Sequence, residues 1–66
     1  MKKKYIIVGS NNFWYTTTEP VSFFEGLPKE IEKVKEGIER GDYDHSEKPE
    51  KLFALEVTGQ TQEFDV

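Results

Sequence analysis

The chain has 66 residues, no cysteine and a formal net charge of −4. At this length we predict a single small domain, residues 1–66, for which folding removes only about 60% of the surface that the unfolded chain exposes. Without cysteine, a disulfide framework and a thiolate zinc site are both excluded. Residues 13–66 hold all thirteen acidic side chains and six of the nine basic ones, a net charge of −7. We therefore expect no direct binding to nucleic-acid phosphates.

Three lysines, Lys2 to Lys4, precede the short apolar run from Tyr5 to Val8. That run is much shorter than the core of a signal peptide or a membrane span. We therefore expect a cytoplasmic protein without membrane attachment, and we interpret the lysines as a solubilising segment.

Two runs in the first part of the chain are rich in aromatic and β-branched residues, which favour strands. They cover residues 3–9 and 13–18, and Asn11 and Asn12 between them tolerate the positive φ of a tight turn. We predict a β-hairpin with these two asparagines as its loop. The face that we assign to the core then carries Ile6, Val8, Phe13 and Tyr15. The opposite face carries Tyr5, Ile7, Trp14, Thr16 and Thr18.

The segment from Leu27 to Gly41 has the periodicity of an amphipathic α-helix. Its apolar residues recur at steps of four, three and four, at Leu27, Ile31, Val34 and Ile38. Pro28 suits the first turn, where its missing N–H would be unpaired, and Gly41 suits the C-cap, since glycine takes positive φ freely. Gly37 inside the helix costs about 1 kcal/mol relative to alanine, which indicates close packing against another segment of the fold rather than another chain.

Residues 21–26, which precede the helix, allow two interpretations. Ser22 and Glu25 have the spacing of a capping box and would start a short helical turn. Alternatively, the segment is an extended connector in which Phe23 or Phe24 covers the core. In either case we expect at least one of these two phenylalanines to be buried.

After the helix, a long polar loop leads to a second predicted hairpin. Residues 52–57 and 62–66 alternate between apolar and polar side chains, and Gly59 and Gln60 fit a two-residue turn. In that register Leu55 faces Phe64 across the hairpin. The residues on the core side are then Phe53, Leu55, Val57, Phe64 and Val66.

Together these elements predict an α+β fold of the order ββαββ. Its sheet has four largely antiparallel strands, and the helix packs on one face. A helix on only one side leaves the other face of the sheet in water or against a partner.

No set of residues indicates catalysis, a metal site or a cofactor. His45 lies near Asp42 and Asp44, but the spacing matches no known set of metal ligands. The glycines are isolated from one another, so no phosphate-binding loop is predicted. We therefore predict that the protein is not an enzyme.

The uncovered face of the sheet is the strongest functional signal. On one hairpin this face is aromatic and apolar, and on the other Glu56 and Glu63 are directly opposed, which is destabilising. Tryptophan and tyrosine beside carboxylates are typical of a protein-binding face. The alternative is that the acids serve solubility and that Trp14 belongs to the core. The predicted partner-binding residues are Tyr5, Ile7, Trp14, Tyr43, Glu56, Glu63 and Asp65.

These features favour a small acidic module that binds a larger protein and occludes its basic surface. In size, charge and layout the chain resembles the accessory and inhibitor proteins that bacteriophages and other mobile elements encode. The alternative is a homo-oligomer, in the simplest case a homodimer, that binds a small ligand at its interface. The marginal size and the apolar outer face favour this second hypothesis.

Overall fold

The structure, a computed structural model, describes residues 3–66, so that Lys2 of the predicted lysine cluster lies outside the described residues. The elements follow in the order β1 (Tyr5–Gly9), α1 (Leu27–Arg40), β2 (Lys51–Glu56) and β3 (Thr61–Asp65). The three strands form one antiparallel sheet in the order β1-β2-β3. The α+β class is as predicted, but the predicted four-stranded ββαββ sheet is wrong.

The missing strand is the predicted second one, residues 13–18. This segment makes an isolated bridge between Trp14 and Val8, and the Tyr15 N–H donates to the Ile7 carbonyl at 2.9 Å. The backbone N–H of Ile7 bonds to a side chain instead of to the backbone of this segment, since it donates to Thr16 Oγ1 at 3.0 Å. Side-chain oxygens of this kind offer the backbone an alternative to a strand ladder. The segment therefore lines β1 without becoming a strand.

The helix is confirmed at its predicted position. The four periodic residues are all buried, and each contributes about 1.5–3 kcal/mol by leaving water. Gly41 ends the helix in the left-handed conformation, with φ at 78°. Gly37 packs against Tyr43, because a Cβ at this glycine would lie 2.7 Å from Tyr43 Cε2. The predicted close packing within the fold is thus confirmed.

The predicted faces are wrong for β1 and β2, although Tyr15 lies in the core and Phe13 and Phe64 pack against it as predicted. In β1 the buried residue is Ile7, which pairs with the buried Ala54 of β2 and packs under α1. Leu52 is also fully buried, on the same face. Residues predicted for the core therefore lie on the other face of the sheet, because side chains alternate along a strand. They are Ile6, Val8, Phe53 and Leu55.

The second hairpin exists, but its register differs from the prediction by three residues. Phe64 lies opposite Leu52 instead of Leu55, and residues 57–60 form the connection. An odd shift of register exchanges the two faces of a strand. This shift places Glu63 opposite Phe53 instead of opposite Glu56.

The segment before the helix is the extended connector. Val21 pairs with Tyr5, and the ring of Phe23 stacks on Tyr5 at a centroid distance of 6.5 Å. Phe23 is half-buried against the core, whereas Phe24 is 88% exposed. No helix begins at Ser22, since the first helical residue is Leu27, so the alternative with a capping box at Ser22 and Glu25 is not formed.

Candidate protein-binding surface

One face of the sheet, which we call the open face, carries an apolar cluster on the side away from α1. Its side chains alternate with Ile7, Leu52 and Ala54, which pack under the helix. Trp14 joins the cluster because it pairs with Val8, and paired residues point to the same side of a sheet. The cluster consists of Ile6, Val8, Trp14, Phe53 and Leu55.

Trp14 is the most exposed member of this cluster. Its relative exposure is 47%, whereas its chain neighbour Tyr15 is buried in the core at 9%. The other four members are half-buried. The open face therefore presents an indole on a floor of aliphatic and aromatic side chains.

Two carboxylates of β3 border the cluster on the same face. Glu63 lies opposite Phe53, and Asp65 lies opposite Lys51. The Lys51 ammonium lies 3.2 Å from a Glu63 oxygen and 4.0 Å from an Asp65 oxygen. Its hydrogen bond to Glu63 raises the pKa of Lys51, so that the ammonium stays charged. One cation between two anions leaves this border with a net negative charge.

The opposed pair of glutamates that the sequence predicted does not form. Glu56 lies opposite Tyr5 in β1, and its carboxylate lies 3.7 Å from the ammonium of Lys3. The side chain of Glu56 is mostly covered, at 11% exposure. The destabilising repulsion from which the prediction started is therefore absent between Glu56 and Glu63, and the acids near the open face are Glu63 and Asp65.

The remaining predicted partner-binding residues lie on the helix side or in the core. Ile7 is fully buried and Tyr5 is half-buried against Phe23. Tyr43 meets Tyr15 edge to face at a centroid distance of 4.8 Å. Burial raises the pKa of both the Tyr15 and the Tyr43 phenols. Of the seven predicted residues, the structure thus places Trp14, Glu63 and Asp65 on the open face, with Trp14 beyond β1 and the two acids on β3.

The open-face residues that sequence reasoning missed had a visible signal. The β2 sequence is apolar at four successive positions, residues 52–55, so both faces of this strand carry hydrocarbon. The prediction assigned the side of Phe53 and Leu55 to the core, although Leu52 and Ala54 on the other side are apolar as well. A strand that is apolar on both faces is typical of a sheet covered on both sides.

His45 lies in an aromatic cluster beside the core instead of in a polar site. Its ring meets Phe13 edge to face at 5.4 Å, and its Nε2 is buried without a hydrogen-bond partner. Among the described residues, no group of three or more His, Asp or Glu side chains is placed to hold a metal ion. The imidazole therefore contributes to packing.

Within residues 3–66 no helix has both the length and the apolar character needed to cross a membrane. Comparisons of the chain with protein-family models, with curated proteins and with solved structures each found no match. The chain's own surface must therefore carry any functional proposal.

Proposed function

We propose that the protein is a small acidic protein-binding module whose open face docks on a basic surface of a larger protein. The observation that carries the proposal is Trp14, half-exposed at 47% on an apolar sheet face. Exposed apolar patches on small proteins mark interaction sites, and tryptophan is among the residues that contribute most binding energy at interfaces. The accessory and inhibitor proteins of bacteriophages and mobile elements are the class that this role fits.

The charge of the chain supports a basic partner. Glu63 and Asp65 border the cluster and share one ammonium, while residues 13–66 carry a net charge of −7. Complementary charge raises the association rate and excludes wrong partners more than it adds affinity. Trp14 and its apolar floor would then supply the affinity, and the acids would supply the orientation.

We propose binding alone, without catalysis, and action in the cytoplasm. The open face presents mainly hydrocarbon and aromatic groups, which suit contact with a protein surface. The chain contains no cysteine, so a reducing compartment would leave its stability unchanged.

Photo-crosslinking in cells of the native host tests this proposal. A benzophenone amino acid replaces Trp14 in one variant and Lys33, an exposed helix residue, in the control. We expect the Trp14 variant alone to form a covalent adduct with one host protein. Equal adducts from both positions, or an adduct from Lys33 alone, would refute docking through the open face.

A second copy of the chain is the competing occupant of the open face. Light scattering at micromolar concentration separates the two cases, since the chain has a mass of 7.7 kDa. We expect the mass of a monomer, because a module that docks on another protein keeps its open face free. A stable dimer that protects Trp14 from a fluorescence quencher would favour the homo-oligomer instead.

A further inference from the structure

The two edges of the sheet differ in how their backbone groups are satisfied. On the outer edge of β1, Tyr5 exchanges two hydrogen bonds with Val21, at 3.0 and 2.9 Å. The Ile7 carbonyl accepts from Tyr15, and the Ile7 N–H donates to Thr16. The next residue of the same parity, Gly9, donates to the Phe13 carbonyl and accepts from the Asn12 N–H. All outward groups of β1 are therefore bonded.

The outer edge of β3 has no such cover. The Val66 N–H donates to the Glu50 carbonyl at 3.2 Å. This bond shows that Val66, and every second residue before it in β3, directs its backbone groups toward β2. In an antiparallel pair, alternate residues bond to the neighbouring strand, so Thr61, Glu63 and Asp65 direct their backbone groups outward. Across residues 3–66, no turn, loop or cap backbone bond involves these outward groups. This edge is open to a further strand.

We infer that the partner adds an extended segment to β3, with lysine or arginine at the alternate positions that face Glu63 and Asp65. This inference rests on the proposed protein-binding function, because it names the part of the partner that the module would hold. In strand addition, main-chain hydrogen bonds supply affinity and side-chain contacts at alternate positions supply specificity. The three outward-facing residues of β3 would give the backbone bonds.

Charge on the open face selects basic residues in the added strand. The side chains of Glu63 and Asp65 are 54% and 89% exposed, and Lys51, which pairs with both, lies on the β2 side. A lysine or arginine on the added strand would lie on the opposite flank of the same carboxylates. Opposite charges in neighbouring strands stabilise a sheet.

The helix side of the added strand would meet a groove that begins just after β3. The groove holds about 410 Å³, and the apolar residues of its lining are Ile38 and Val66. The charged residues of its lining are three glutamates of α1, Glu32, Glu36 and Glu39, together with Lys35 and Lys48. An aliphatic side chain at the positions between the basic residues suits the apolar part of this lining, where Ile38 and Val66 lie.

A second copy of the chain fits this edge poorly. When β3 pairs with β3 of a second copy about its centre, Glu63 lies directly opposite Glu63 of that copy. Like charges in that position destabilise the pairing. The edge therefore favours a foreign basic segment over self-association.

The test uses the full chain, labelled with nitrogen-15, and a short synthetic peptide that alternates lysine and valine. We expect the peptide, at millimolar concentration and low salt, to shift the amide signals of Thr61, Glu63 and Asp65 and to slow their hydrogen exchange. The double variant Glu63→Gln, Asp65→Asn should weaken binding about fivefold, since ion pairs exposed to water each add little affinity. Thr61→Pro, which removes an outward N–H at the start of the strand, should weaken it by about the same factor.

Two control peptides separate strand addition from general attraction. A peptide with the same lysines and a backbone methylated at alternate nitrogens should not bind, and a peptide of alternating glutamate and valine should not bind either. Equal binding by the methylated peptide, or no amide shifts at the β3 edge, would overturn the inference. Exchange protection that rises with protein concentration alone would assign the edge to a second copy. These outcomes are independent of the Trp14 adduct, which tests the proposed function by itself.

Discussion

The two faces of the sheet are built from neighbouring residues of the same strands, yet α1 covers one of them and leaves the other exposed. On β2, Leu52 and Ala54 are fully buried, whereas Leu55 on the open face is half-buried. In the segment that lines β1, Tyr15 is in the core and Trp14 is 47% exposed. Hydrophobicity alone thus does not decide which residues form the core, because both faces carry hydrocarbon and there is one helix in the described chain.

The largest difference between the faces should appear in a matched pair of leucines on β2. Leu52→Ala leaves a cavity under α1 and should lower the free energy of unfolding by about 3 kcal/mol. Leu55→Ala, the same substitution on the open face, should lower it by about 1 kcal/mol because the side chain keeps contact with water. Urea denaturation followed by circular dichroism measures both values. Equal losses would show that the open face is as much a core as the covered one.

A glycine-to-alanine change on the covered side should lower the free energy of unfolding, whereas the same change in a helix usually raises it. In an ordinary helix interior this change stabilises by about 1 kcal/mol. At Gly37 the new methyl group would press on the ring of Tyr43, and we expect a loss of about 1 kcal/mol. In a Tyr43→Ala background the same change should stabilise, since the ring is gone. A stabilising effect in both backgrounds would mean that Tyr43 does not hold this position tightly.

The covered side also shows which parts of the fold could be predicted from the sequence. The helix followed from four apolar residues at helical spacing, and the turn at Gly41 and the packing at Gly37 followed from the chemistry of glycine. These features depend on residues close together in the chain. Structural elements predicted from local patterns of this kind are more reliable than pairings between distant segments.

The open face could not be predicted because it depends on the register of strands that are distant in the chain. A two-residue loop at Gly59 and Gln60 and the observed connection over residues 57–60 both suit the sequence. The strand registers of the two arrangements differ by three positions, and an odd shift exchanges the faces. The missing strand has a similar origin. Its composition favours a strand, but the Thr16 hydroxyl accepts the hydrogen bond from the Ile7 N–H that a strand ladder would use. Trp14 was predicted to be uncovered, and it is, although its neighbours on that face are different ones.

A smaller effect should appear on the covered side at high pH. Burial raises the pKa of Tyr15 and Tyr43, so the folded state holds these phenolic protons more tightly than the unfolded state. Their contribution to stability is complete below the unfolded value of about 10 and is lost as the pH rises through the folded values. Tyr43→Phe should reduce the alkaline loss, as measured by the urea midpoint at neutral and alkaline pH. An identical alkaline loss in the variant would contradict a role for the Tyr43 phenol.

The smallest effect on stability should be at Trp14, and this is what separates a binding face from a core. Because its side chain is half in water and its bridge to Val8 is a backbone pairing, Trp14→Ser should change the free energy of unfolding by less than about 0.5 kcal/mol. Tyr15→Ser, the matched change on the covered side, should cost about 3 kcal/mol. Circular dichroism in urea compares the two without using tryptophan fluorescence. A large loss at Trp14 would mean that the indole holds the sheet together, and its exposed half would then be no argument for a partner.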